Sequence, residues 1–242
     1  MKLYAVGIGP GCEQMMTGEA AAAIKNSDIV FGYTTYIELV KPMFPDKEYF
    51  ATPMRSEKER CIAALEAAKS KNVAMVCSGD AGVYGMAGLL YELAAPDSGV
   101  DIEVISGITA AQSGAALLGA PLMQDFAVIS LSDLLVDWSV IEKRLEGAGV
   151  GDFTVALYNP ASKKRIDNLR KACDILMKYR SGDTVCGICE NIGRVGEMSE
   201  TLTLAELRER KLNMFCTVFI GSSNTKLING KMVTPRGYEV AK

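Results

Sequence analysis

Short apolar, β-branched runs alternate along the chain with longer stretches of helical apolar spacing, and turn residues separate the two. This alternation is typical of α/β proteins with mostly parallel strands. It predicts strands at residues 3–8, 28–32, 73–77, 102–105, 126–130, 153–158, 184–189 and 216–220. It predicts helices near residues 14–25, 56–71, 83–95, 109–118, 138–146 and 204–210, and a basic helix that ends near Tyr179. Ser56 and Glu59 have the spacing of a capping box at the start of the helix at 56–71.

The breaker Gly119-Ala120-Pro121 divides this pattern into two halves, so we expect domains at residues 1–120 and 121–242. The predicted fold class is α/β, with two α/β domains, mostly parallel sheets and a cleft between the domains. In open sheets of this kind, ligands bind beyond the carboxyl ends of the strands. We therefore expect the functional residues in the loops that follow the strands.

Composition narrows the possible functions. The 242 residues include no histidine, which excludes serine–histidine triads and histidine-ligated zinc. A net charge of −3 provides no basic field for nucleic acid, and the longest uncharged stretch, 104–124, is interrupted by glycine, proline and polar residues. We expect neither a nucleic-acid nor a membrane partner. The early glycines at 7–11 argue against a signal peptide, so a cytoplasmic protein is expected.

The seven cysteines are odd in number and scattered through apolar stretches, so we expect them to be reduced and mostly buried. Cys186 and Cys189 form a C-x-x-C pattern, but residues three apart in a strand point to opposite faces. No second C-x-x-C accompanies this pair, as a zinc site of this type requires. We therefore predict no metal site.

Two glycine-rich turns follow predicted strands. The first, Gly7-Ile8-Gly9-Pro10-Gly11-Cys12, departs from the dinucleotide pattern G-x-G-x-x-G at its last position, and Pro10 removes an amide donor. It either contacts a ligand or only reverses the chain tightly. The second turn, at 78–85, places Asp80 among small residues. Asp80 either lines a site in which a ligand lies against the backbone or caps the following helix.

Six segments, in order along nearly the whole chain, resemble the tetrapyrrole methylase family of S-adenosylmethionine-dependent enzymes. They are Val6-Gly7-Ile8-Gly9-Pro10-Gly11, Gly79-Asp80, Ser106-Gly107-Ile108-Thr109-Ala110, Leu157-Tyr158-Asn159, Glu190-Asn191-Ile192-Gly193 and residues 218–221. The chain departs from the family at Ala81, where many members have proline. The resemblance implies the tetrapyrrole methylase fold.

Within the family, segments 79–86, 129–135, 157–162 and 233–238 are similar to one branch. That branch methylates carbon 17 of precorrin-3B or cobalt-factor III and contracts the macrocycle, in cobalamin biosynthesis. The motifs do not distinguish the metal-free substrate from the cobalt-containing one. Two alternatives remain open: a family member that methylates a different macrocycle carbon, and a non-enzymatic tetrapyrrole-binding protein.

The resemblance also implies a cofactor site and an assembly. S-adenosylmethionine, whose product is S-adenosylhomocysteine, is expected between the two domains. The implied cofactor contacts are Gly79, Asp80, Ala81, Val83, Tyr84, Thr109, Ala110, Asn159 and Ile192. A tetrapyrrole substrate and a homodimer are implied as well.

Ring contraction needs proton transfers, which without histidine fall to carboxylates, tyrosine, cysteine or groups of the substrate. Asp133 and Ser132 are our catalytic candidates because they lie in a loop specific to the branch, although Asp133 can also be read as a solvated loop acid. The substrate carboxylates require local basic groups. The candidates for substrate binding are Gly9, Pro10, Arg55, Arg194 and Arg236, with Lys163, Lys164 and Arg165 in another expected cleft loop.

Overall fold

The computed structural model describes residues 1–96, 99–162 and 165–238. The chain forms two compact units, Met1–Ala110 and Ala111–Lys242. The division follows Ala110, the first residue of the helix Ala110–Leu118, whereas the sequence pattern placed it after that helix. The reason is packing: a Cβ at Gly114 would lie 2.8 Å from the ring of Phe219, so this helix packs on strands of the second unit.

The first unit alternates strands and helices around one sheet. Its elements are β1 (Lys2–Gly7), a 3-10 turn (Glu13–Met15), α1 (Gly18–Lys25), β2 (Ile29–Tyr33), α2 (Thr34–Val40), β3 (Glu48–Thr52), α3 (Glu57–Ala67), β4 (Val73–Cys77), α4 (Ala87–Leu93) and β5 (Asp101–Ile105). The strand order is β3-β2-β4-β1-β5, and every pair is parallel. All five carboxyl ends therefore meet at one edge of the sheet, where a ligand site is expected.

Both faces of this sheet are covered by apolar packing. On one face Leu3, Phe31 and Met75 pack with residues of α3 and α4. On the other face a separate cluster forms, in which Val6 and Val30 pack with residues of α1 and α2. Because parallel strands are buried on both faces, continuous apolar runs such as Val73–Cys77 are expected here and are found fully buried.

The second unit contains α5 (Ala110–Leu118) and a second sheet with its own helices. The further elements are β6 (Gly119–Ala120), β7 (Phe126–Ser130), α6 (Trp138–Val150), β8 (Thr154–Tyr158), α7 (Asn168–Leu176), β9 (Val185–Glu190), β10 (Met198–Thr203), α8 (Leu204–Arg208), β11 (Cys216–Ile220), β12 (Lys226–Ile228) and β13 (Lys231–Val233). The sheet order is β10-β9-β11-β8-β7. One apolar cluster, which includes Leu145, Leu157 and Val218, fills its core.

The predicted α/β class is confirmed, but the expectation of a mostly parallel second sheet is wrong. Only the β7–β8 pair of this sheet is parallel, and its other pairs are antiparallel. The reason lies partly in the connection of β9 to β10, which is too short for a crossover helix and so forces an antiparallel hairpin. A smaller sheet pairs β12 with β13 and β13 with β6.

The structure differs from the sequence-based expectation at the start of α3. Ser56 makes no side-chain cap hydrogen bond, so the predicted capping box is wrong. Its ψ of 33° departs from the extended conformation that an N-cap residue needs. A capping box is formed instead at the start of α8, by Thr203 and Glu206.

The cysteines are free thiols, and six of the seven are buried, as expected. Burial raises the pKa of Cys189 to about 12, so this thiol stays protonated at neutral pH. Within the described ranges, no group of three or more potential metal ligands occurs. In the same part of the chain, no helix is both long and apolar enough to cross a membrane.

Candidate functional site

Three glycine turns meet at the carboxyl edge of the first sheet, after β1, β4 and β5. Gly9 and Gly79 exchange two backbone hydrogen bonds, of 3.0 and 2.7 Å. Both have positive φ, near +70°, which glycine adopts without strain. A Cβ at Gly7 would lie 2.6 Å from the amide nitrogen of Gly107. The glycines are therefore required for the turns to pack against one another.

Asp80 ties these turns together through its carboxylate. Its Oδ1 accepts hydrogen bonds from the amides of Gly82 (2.8 Å) and Val83 (3.1 Å), and its Oδ2 accepts one from Gly107 (2.9 Å). The two amides on its own turn precede α4, which begins only at Ala87, so Asp80 does not cap that helix. Its carboxylate shapes the turn and links it to the end of β5.

The expected cofactor residues of the first unit lie around this turn. A Cβ at Gly79 would be 3.6 Å from the Cα of Thr109 and 3.8 Å from the nitrogen of Ala110. Ala81 is buried, whereas Tyr84 is 53% exposed and has a φ of 56°. Gly79, Thr109 and Ala110 thus form one backbone-lined cradle, and a side chain at position 79 would occupy it.

In the second unit, the carboxyl ends of β7 and β8 are linked by side chains. Asn159 donates from Nδ2 to Ser130 Oγ at 3.0 Å, and Ser130 Oγ also accepts from the amide of Ser132 at 3.2 Å. The Tyr158 hydroxyl accepts from the amide of Ala111, in the first turn of α5, at 2.7 Å. Ile192 is buried in the turn that follows β9. Tyr158 could not be identified from the sequence as a positioning residue, because its hydroxyl reaches α5 only in the folded chain.

The catalytic candidates Ser132 and Asp133 lie beside Arg165. The Arg165 guanidinium donates from Nη1 to Ser132 Oγ and from Nε to Ser162 Oγ, the latter at 3.0 Å. Its Nε also lies 4.0 Å from Asp133 Oδ1. The Arg165 side chain is 13% exposed and that of Asp133 33%, so Asp133 lies beside a mostly buried cation and remains accessible. Lys163 and Lys164 lie outside the described residues.

The other substrate candidates are dispersed. Gly9 and Pro10 belong to the first glycine turn. Arg55 is exposed after β3, and Arg194 is half-buried in the turn after β9.

Arg236 lies with residues 123–125 and 151–153, which precede β7 and β8. These strands are parallel, so Arg236 lies at the opposite end of the sheet from Ser130 and Asn159, roughly 17 Å away for strands of this length.

Arg60 is a buried cation that does not stand out as a functional residue in the sequence. It lies in the first turn of α3, and Ala64 and Ala68, which follow it at helical spacing, are fully buried. Its guanidinium donates from Nη1 to the hydroxyl of Thr52, the last residue of β3. The sequence did carry one indication of this burial: Arg60 shares a helical face with the two alanines, so the pattern places a charge on the buried face of the helix.

Residues 2–208 match the family described as Tetrapyrrole (Corrin/Porphyrin) Methylases. The chain is 46% identical over 238 residues to the probable cobalt-factor III C(17)-methyltransferase of Salmonella typhimurium, covering 98% of this chain and 99% of that protein. It is also 46% identical over 238 residues to the cobalamin biosynthesis protein CbiHC of Archaeoglobus fulgidus, covering 98% of this chain but only 53% of that longer protein. The crystal structure of the methyltransferase CobJ superimposes with a TM-score of 0.88 at 32% identity, covering 97% of this chain and 98% of that one.

Proposed function

Because this chain belongs to the tetrapyrrole (corrin/porphyrin) methylase family, we propose that it methylates carbon 17 of cobalt-factor III or precorrin-3B with S-adenosylmethionine and contracts the macrocycle, in cobalamin biosynthesis. The observation that carries this proposal is the 46% identity to the Salmonella protein over nearly the full length of both chains. The backbone cradle at Gly79 supports it, because it offers a large ligand close access to main-chain groups.

The chemistry of the cradle suits S-adenosylmethionine. A sulfonium donor carries no phosphate, so the amide that Pro10 lacks is not needed. We propose that Gly79, Ala81, Val83, Tyr84, Thr109 and Ala110 of the first unit contact the cofactor, and that Asn159 and Ile192 of the second unit do so as well. Asp80 acts differently, because both of its carboxylate oxygens already accept backbone amides: it holds the turn in the binding shape.

When bound, S-adenosylmethionine supplies an electrophilic methyl group for a ring carbon. The residues of the chain position the reactants, and such positioning contributes on the order of 7–11 kcal/mol to lowering a barrier. For the ring contraction we propose that the Asp133 carboxylate accepts a proton from the substrate, because it is accessible and is oriented beside Arg165. Arg165 and Ser132 hold the loop that presents it.

The enzyme is best tested directly with S-adenosylmethionine that carries a labelled methyl group. Parallel incubations with cobalt-factor III and with precorrin-3B, followed by mass spectrometry and carbon NMR, should place the label on carbon 17 of a contracted macrocycle. A label on another carbon would favour the alternative of a different precorrin methyltransferase. Binding without transfer would favour the tetrapyrrole-binding protein.

Asp133→Asn is expected to lower kcat by about 10²-fold or more, because a general base typically contributes 10²–10⁴-fold. The KM for S-adenosylmethionine should change little. Asp167→Asn is the matched control, since Asp167 is exposed and makes no side-chain cap hydrogen bond. Equal rates for both variants would instead identify Asp133 as a solvated loop acid.

Arg236→Ala is expected to leave the KM for the tetrapyrrole within about twofold of the wild-type value, because Arg236 lies at the amino ends of β7 and β8. Steady-state kinetics with the tetrapyrrole as the varied substrate provide the measurement. A tenfold rise in KM would place Arg236 in the substrate site after all.

We further propose that the protein is a cytoplasmic homodimer without nucleic-acid or membrane partners. The family resemblance supports the homodimer, and the net charge of −3 supports the absence of a nucleic-acid partner. Light scattering coupled to gel filtration measures the mass, and a monomer mass at micromolar concentration would overturn the dimer.

A further inference from the structure

We infer that Arg60 forms a subsite for a side-chain carboxylate of the tetrapyrrole, at the carboxyl ends of β2 and β3. The inference rests on the proposed function and adds to it a residue that selects the substrate. The observation behind it is that the positive charge of Arg60 is buried without an acidic partner among the described residues.

Arg60 is only 4% exposed, and its Nε is buried without a hydrogen-bond partner. The hydroxyl of Thr52 is its one side-chain partner, and none of the acidic residues that the structure describes forms an ion pair with it. Burying a guanidinium is unfavourable unless it is paired and fully hydrogen-bonded. A bound carboxylate would supply the acceptor that the Nε of Arg60 lacks among the described residues.

The other buried arginine, Arg180, shows what a structural role looks like. Its guanidinium donates to the carbonyls of Gly221, Ala148 and Phe153. Its Nε, like that of Arg60, has no hydrogen-bond partner, but it lies 3.7 Å from the Asp152 carboxylate. Arg180 is thus surrounded by acceptors of its own unit. Among the described residues, Arg60 has no comparable set of acceptors, although the two side chains are buried to a similar degree.

Arg60 lies in the first turn of α3, and long side chains on a helix lean toward its N-terminus. Its guanidinium therefore extends toward the end of β3, where it meets the hydroxyl of Thr52. The same turn carries Glu57 and Glu59, which already offset the positive end of the helix dipole, so the attraction for a carboxylate comes from the guanidinium itself.

The position of Arg60 relative to the cofactor cradle fits a large substrate. Thr52 pairs with Tyr33 at the last register position of β3 and β2, and β2 is adjacent to β4, which leads into Gly79. Two strand spacings separate β3 from β4, or roughly 10 Å along the same edge of the sheet. A flat macrocycle with a ring carbon near the methyl donor would extend its peripheral carboxylates over such a distance. An arginine fork can bind one of them in a bidentate manner.

The test compares Arg60→Met with Lys58→Met, which removes an exposed charge from the same helix. Thermal unfolding of the ligand-free proteins, the Kd for S-adenosylmethionine by calorimetry, and the KM for cobalt-factor III are measured for both. We expect Arg60→Met to melt at or above the wild-type temperature, because the unpaired charge is gone. Its KM for cobalt-factor III should rise at least about tenfold while the Kd for the cofactor stays within twofold. Lys58→Met should match the wild type in all three.

If Arg60 is only structural, Arg60→Met will melt at a lower temperature than the wild type or will fail to fold, and where it folds its KM will be unchanged. Each of these results overturns the inference. Arg60→Lys retains the positive charge but not the bidentate guanidinium, so its KM for cobalt-factor III should lie between those of the wild type and Arg60→Met. In a separate experiment, cobalt-factor III is added to the wild type and to Arg60→Met, and the rise in melting temperature is compared between the two proteins. This comparison needs no turnover, so it tests the subsite even if the wild type transfers no methyl group. An equal rise in the two proteins also overturns the inference.

Discussion

Replacing Gly107 with alanine is expected to destabilise the first unit by about 3 kcal/mol or more and to abolish S-adenosylmethionine binding. A Cβ at this position would lie 2.5 Å from the carbonyl oxygen of Gly7 and would overlap the carbonyl oxygen of Gly79. These neighbours are backbone at the ends of two central strands, so the contact cannot be relieved by rotating a side chain. The turns after β1, β4 and β5 would have to separate, and the hydrogen bond from Gly107 to Asp80 would be lost.

For a chain of this length, a loss of about 3 kcal/mol corresponds to a fall in Tm of roughly 6–12 °C. Calorimetry measures this shift, and titration calorimetry measures the cofactor affinity. Gly88→Ala is the control in the same unit, because a Cβ there meets nothing within 4 Å and alanine is the better helix former. If Gly107→Ala keeps both the wild-type Tm and the wild-type affinity, the close packing of the three turns is refuted.

Arg180→Met is expected to destabilise the second unit by about 3–5 kcal/mol. The guanidinium joins the end of α6, the start of β8 and the end of β11 by donating to three backbone carbonyls. Methionine fills a similar volume but leaves these carbonyls without donors in a buried place. Burial lowers the pKa of Arg180, yet arginine stays charged at every pH at which the protein would be assayed.

Urea unfolding provides the measurement, with the expected change in the midpoint and none in the slope. Lys178→Met serves as the control: its ion pair with Glu146 is exposed and 3.8 Å long, so its loss should cost less than about 1 kcal/mol. Similar midpoints for the two variants would show that Arg180 contributes no more than a surface charge.

The strands that could be predicted from the sequence are the continuous apolar runs bounded by turn residues. Val73–Cys77 and Cys216–Ile220, both fully buried, and the partly exposed edge strand Phe126–Ser130 are found at the predicted residues. β3 and β10 were missed because they are largely exposed and lack a clear apolar pattern. The hairpin of β12 and β13 was also missed, although Asn229-Gly230 between them is a strong hairpin signal.

The direction of strands in the second sheet was not available from the local pattern. A buried strand has the same apolar pattern whether its neighbour is parallel or antiparallel. Only the length and path of the connections determine the relative direction of the strands. The same limit applies to the candidate site. Gly79 and Asp80 could be selected locally, whereas the partnership of Arg165 with Ser132 and the burial of Arg60 arise from residues distant in sequence. The position of Arg236 at the amino ends of β7 and β8 could not be predicted either, because tertiary pairing sets the end of a strand at which a tail residue lies.

The pairing of β13 with β6 sets an order of events during synthesis. Thr234 Oγ1 donates to the Pro121 carbonyl at 2.6 Å, across 113 positions of sequence. The sheet of the first unit is completed by β5, so that unit can fold while the ribosome is still translating the second. The five-stranded sheet of the second unit is complete at β11, but its small sheet of β6, β12 and β13 waits for residues 231–234, and closing so long a loop makes this last step slow. Until then Gly119 and Ala120 present an unpaired strand edge, so a nascent chain that stops before residue 231 exposes an edge that can pair with another chain.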